Sequence, residues 1–195
     1  MHRTLLLFAL AASGCASVPP PPVADLVPAD ELTALMPDSV GAFLATGDEV
    51  YRGYFADSAG ALTLVTAART YMRGAVMMTL NVSSMDRPDR FRALVEAGGA
   101  RATPDSVVQA DPALAAAVAA GWDVYDVAFG RLLLHEDGRA VEAKSMLSDV
   151  PATAVATVDL ARLAALTEER VTVDTSFVRA SPPAPAPPRD GGVIG

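Results

Sequence analysis

The chain has 195 residues, 51% of them hydrophobic but only 6% aromatic, with 15 Lys and Arg against 23 Asp and Glu and a formal net charge of −8 at pH 7. That length suffices for one domain with a buried core and leaves little room for a second. The acidic balance and the shortness of the basic clusters, RTYMR and DRPDRFR, argue against nucleic acid as a partner, and a single cysteine excludes an internal disulfide.

Met1, His2 and Arg3 form a basic head, Thr4 to Ala12 an apolar stretch, and Ala12, Ser13, Gly14 and Ala16 a set of small side chains. This is the three-part plan of a secretory signal peptide. The apolar run is far shorter than the about 20 residues that span a bilayer, and it gives way to Pro19–Pro22. The stretch LAASGC resembles the lipobox of bacterial lipoproteins: Gly14 and Ser13 fit the two positions before the cysteine, and Ala12 stands where that family more often has leucine.

The resemblance implies that Cys15 is the lipidation site and the mature N-terminus. Its membrane partner is then a lipid anchor, and its place the bacterial cell envelope. Ala16, where an aspartate would imply inner-membrane retention, points to the outer membrane. The other reading of the same residues is ordinary cleavage after Ala16, which discards the cysteine. Either cut removes Arg3 and moves the formal charge from −8 to −9. The organisation expected is a signal peptide over 1–14, a lipidated cysteine and extended Pro-rich tether over 15–28, a folded domain over 29–168 and a disordered Pro-rich tail over 169–195.

Within the domain, PADELTALMP predicts a short helix between Pro28 and Pro37. Phe43–Thr46, Val50–Phe55, Leu62–Tyr71 and Gly74–Ser84 read as strands, rich in β-branched and aromatic residues. RPDRFRALVEAGG predicts a helix with Pro88 in its first turn, Phe91, Leu94 and Val95 on one face, and Gly98 closing it in the left-handed conformation. DPALAAAVAAGW predicts another, capped by Asp111 and stopped by Gly121, with Leu114 and Val118 on one stripe. Trp122–Phe129, Arg131–Glu136 and Arg139–Met146 are strands, the last two joined by EDGR, where Asp137 and Gly138 supply positive φ. Val141, Ala143 and Ser145 alternate with Glu142, Lys144 and Met146. A last helix is expected from Pro151 to Thr167, broken near Asp159, with Leu160, Leu163 and Leu166 inward.

The fold class expected is α+β, an antiparallel sheet flanked by helices. LMPDSVGAF, GWDVYDVAFGRLLLHEDGRAVEAKSML and VDLARLAAL together resemble exported bacterial proteins with a PsbP-like α/β sandwich. That resemblance implies an accessory, non-catalytic role in the envelope and transfers no functional residues.

The residues that carry chemistry are few. His135 is the only histidine after the signal segment, beside Glu136 and Asp137; a zinc site needs three or four ligands, so a polar strand end is the reading, with no metal and no cofactor. A hydrolase would have to use His135, yet no nucleophile elbow accompanies it. Asp123 and Asp126, three apart on a strand, face opposite sides and make no acid/base pair. GGARATPDS lacks the P-loop spacing and its lysine. Met72, Met77, Met78 and Met85 either fill the core or line an apolar groove for a small ligand or lipid, and Trp122 is read as a core anchor. The expectation is a non-enzymatic binding or scaffolding domain whose envelope partner the sequence does not name.

Overall fold

The computed structural model describes residues 23–57, 60–146 and 154–173. The signal segment, Cys15, Pro19–Pro22, the start of the last expected helix at Pro151 and the Pro-rich run after residue 173 lie outside the described residues. The elements are β1 (Val23–Leu26), α1 (Ala29–Thr33), β2 (Ser39–Val40), β3 (Phe43–Asp57), β4 (Gly60–Arg73) and β5 (Val76–Met85). They are followed by α2 (Pro88–Ala97), β6 (Arg101–Ala102), α3 (Asp105–Ala110), α4 (Pro112–Ala119), β7 (Trp122–Val127), β8 (Gly130–His135), β9 (Arg139–Ser145), α5 (Leu160–Ala164) and β10 (Glu169–Thr172).

The architecture is mixed α+β and mostly antiparallel sheet. Eight strands run in the order β2-β3-β4-β5-β9-β8-β7-β6, and β1 pairs with β10 in a separate two-stranded sheet. Every strand pair is antiparallel. Because side chains alternate across a strand, the large sheet has two unlike faces. One is closed: Val65, Ala67, Tyr71, Met78, Leu80, Val82, Trp122, Val124, Leu133 and Val141 pack with Leu26 and Val27, Leu32 of α1, Val108 of α3, Leu114 of α4 and Leu163 of α5. The other carries a smaller cluster, Leu62, Met85, Tyr125, Leu132, Leu134 and Ala140, covered by Phe91 and Val95 of α2.

Local chemistry explains most boundaries. Asp111 caps α4 by accepting from the amides of Ala113 and Leu114, and Asp159 caps α5 by accepting from Arg162, which places the break where the sequence predicts it. Gly121 (φ +90°) ends the α4 segment, and Gly138 (φ +77°) turns β8 into β9. Gly138 also lies so close to the Met85 carbonyl that a Cβ there would collide with the oxygen. Val141, Ala143 and Ser145 are buried while Lys144 and Met146 are exposed, as the alternation predicts.

Several expectations are corrected. The two strands expected over Phe43–Thr46 and Val50–Phe55 are one, β3, because β4 offers an unbroken partner and a register shift between Ala45 and Gly47 absorbs Thr46 as the extra residue. The left-handed residue after α2 is Gly99 (φ +95°), since Gly98 (φ −76°) still continues the helical turn. Leu94 and Val118 point outward; Phe91 and Val95 carry the inner face of α2, and Leu114 with Ala117 that of α4. In the EDGR turn the positive φ falls on Gly138 and not on Asp137. β6 and α3 were not expected from the sequence.

The largest difference concerns the chain ends. Val23–Leu26, expected within the tether, and Glu169–Thr172, expected in the tail, form a ladder that pairs Val23 with Thr172 and Leu26 with Glu169. Leu26, Val27 and Val173 are fully buried beside it. The Val27 amide donates to Ser84 Oγ at 3.0 Å, and the buried Arg139 guanidinium donates to Ser84 Oγ, Glu168 Oε1 and the Leu166 carbonyl.

Candidate functional site

The face that α2 only partly covers holds a groove with a polar floor. Thr66 of β4, Asn81 and Ser83 of β5 and Glu142 of β9 all point to it, because the ladder sets Thr66 against Ser83 and Asn81 against Glu142. Tyr51 of β3 lies opposite Thr66 on one flank, and Leu132 of β8 lies opposite Glu142 on the other. Phe91 and Val95 of α2 form the apolar wall, closing a groove of about 360 Å³.

The floor is held by bonds among its own side chains. Thr66 Oγ1 and Ser83 Oγ are 2.8 Å apart. Asn81 Nδ2 donates to Glu142 Oε2 at 2.9 Å, and Lys144 Nζ sits 2.7 Å from Glu142 Oε1, so both carboxylate oxygens are engaged. The Tyr51 hydroxyl donates to Glu49. The α2 wall is pinned by Arg92, which donates to the Tyr125 hydroxyl at 3.1 Å, to Asp123 at 2.7 Å and to Asp89 at 3.0 Å. Burial pushes the Tyr125 phenol up, against the opposing pull of the Arg92 bond.

Fixed hydroxyl, amide and carboxylate groups beside an apolar wall make a recognition surface for a ligand with hydrogen-bonding groups on one side and apolar surface on the other. The arrangement is poorly suited to proton transfer. The carboxylate is already paired, and the Ser83 hydroxyl meets another hydroxyl and no base.

The residues singled out in the sequence fall elsewhere. His135 lies opposite Trp122 in the β7–β8 ladder, which places it on the closed face, with ring centroids 5.0 Å apart. Its Nδ1 accepts from the Asp137 amide at 3.3 Å and lies 3.4 Å from Asp137 Oδ2. Among the described residues no group of three or more His, Cys, Asp or Glu could hold a metal ion. Asp123 and Asp126 do face opposite sides: one meets Arg92, the other Thr103 Oγ1 and Arg131. Trp122 is buried in the main core. Met78 and Met85 are buried in separate clusters while Met77 is exposed, so the four methionines do not line one groove. Cys15 lies outside the described residues, and among those residues no helix is long and apolar enough to cross a membrane.

A second groove, of about 650 Å³, runs along the other side of β3, between Val50 and Arg52 and the residues Ala29, Ala34 and Val171 of α1, its C-terminal turn and β10. The sequence names neither groove. Tyr51, Asn81, Ser83 and Glu142 are ordinary strand residues spaced across the chain, and only the pairing registers bring them together. Their one sequence signal is polar residues in the same phase on neighbouring strands. The chain matches no family model, no curated protein and no solved structure.

Proposed function

We propose that the chain is a lipid-anchored protein of the bacterial cell envelope, acylated at Cys15 and held at the outer membrane, whose domain binds and does not catalyse. The anchoring half of the reading is supported by LAASGC at the end of a basic, then apolar, then small-residue leader. Diacylglycerol and an N-acyl chain exceed the two signals that stable attachment needs. The binding half rests on one observation, the asymmetry of the sheet: one face carries the main core, while the other leaves Thr66, Asn81, Ser83 and Glu142 in a polar groove beside α2. The PsbP-like sandwich is the finer architectural reading, supported by the large antiparallel sheet with helices on both sides.

Two other readings stand behind it. A module for small apolar ligands or lipids loses its Met-lined groove and would have to use the larger pocket under α1. A hydrolase would use His135, which lies on the closed face, away from the polar groove.

The groove is tested by replacing Ser83 with a photoreactive amino acid in the full chain and irradiating intact envelopes. A discrete adduct at Ser83, absent when the same residue replaces the exposed Val107, is the expected result. Adduct patterns that do not differ between the two positions would remove the groove from the account.

A further inference from the structure

β3 extends far past its neighbour on the outer side. β2 pairs only with Phe43 and Leu44, and from Gly47 to Asp57 the strand has, among the described residues, a ladder partner in β4 alone. Such an edge presents a row of unpaired backbone N–H and C=O groups, which proteins ordinarily shorten, cover or interrupt with proline. Here no proline falls within β3. Val50, Tyr51 and Phe55 are 43%, 52% and 39% exposed.

The charges on this edge are self-complementary in one register. Two copies of β3 paired antiparallel about a twofold axis at Val50 set Asp48 opposite Arg52 twice and Glu49 opposite Tyr51 twice. Residues directly opposite in an antiparallel pair share a face, and the alternation of β3 puts Asp48, Val50 and Arg52 on the closed side and Glu49 and Tyr51 on the groove side. Moving the axis to Tyr51 sets Val50 against Arg52 and Glu49 against Gly53, with no opposite charges in contact. Asp48 can take a second cation: Arg69 holds it at 2.5 and 2.7 Å, yet 40% of its side chain remains exposed.

We infer that the occupant of this edge is a second copy of the chain, paired through β3 with Val50 on the axis. The two eight-stranded sheets then form one continuous sheet. Glu49 of the second copy stands beside Tyr51, so each polar groove gains a residue from the other molecule. The inference goes beyond the proposed function and does not depend on the fate of Cys15.

The test is Val50→Cys in the full chain, oxidised mildly in intact envelopes. Directly opposed residues have Cα atoms about 4.5–5.5 Å apart, within disulfide reach. A disulfide-linked dimer is expected from Val50→Cys, well above the unsubstituted chain and above Val118→Cys on α4, whose parent side chain is comparably exposed at 46%. Adding Arg52→Asp faces Asp48 with a like charge across the axis. It should cut the dimer yield by about fivefold or more while the thermal midpoint of the domain is unchanged. Equal yields from Val50→Cys and Val118→Cys, or a yield indifferent to Arg52→Asp, would overturn the inference.

Discussion

Tyr71 shows how single side chains fasten the closed face. It is fully buried in β4, and its hydroxyl donates to the Pro37 carbonyl at 2.7 Å, so the turn after α1 is bonded to the centre of the sheet. Burial pushes its phenol up to about 12, more than the neighbouring Arg69 pulls it down. Arg69 donates to the Met36 carbonyl at 2.5 Å, and its hydrogen bonds hold the Asp48 carboxyl below the usual carboxylate range. The folded state therefore keeps the Tyr71 proton to higher pH than the unfolded chain, whose tyrosines ionise near 10. Stability from Tyr71 is complete below that value and is lost as pH rises from about 10 through about 12. A spectrophotometric titration of tyrosinate should find Tyr71 ionising last and together with loss of near-ultraviolet circular dichroism. Ionisation near pH 10 with the fold intact would contradict its buried, bonded state.

Elements with strong local signals were legible in the sequence. Asp111 before Pro112, Pro88 before the Phe91–Val95 stripe, and Gly138 in EDGR each specify backbone geometry within a few residues, and the structure places α4, α2 and the β8–β9 hairpin there. β1 and β10 were not legible, because neither segment has an alternating pattern of its own and each is a strand only through the other, from opposite ends of the chain. The polar groove was hidden for the same reason: the in-phase polar residues of β4, β5 and β9 become neighbours only once register is fixed. Leu26 separates a tether from a strand. As a fully buried side chain, its replacement by alanine should lower the unfolding free energy by about 2–5 kcal/mol in urea denaturation. A loss within about 0.5 kcal/mol, typical of exposed sites, would return the segment to the tether.

At the scale of the whole molecule, the closed two-stranded sheet has a consequence for anchoring. The described chain starts at Val23, paired with Thr172, so the two ends of the described domain lie side by side. On the proposed reading, an anchor at Cys15 confines the groove and the β3 edge to a membrane, where copies meet at high local concentration. The anchoring part of the proposal begins with the chemistry of Cys15. The direct measurement is the mass of the mature chain purified from its own envelope, with fragmentation of its first residues. The account predicts an N-terminus at Cys15 carrying a diacylglycerol thioether and an N-acyl group, and no such modification in Cys15→Ser. A mature chain that begins at Ser17, without lipid, would contradict it.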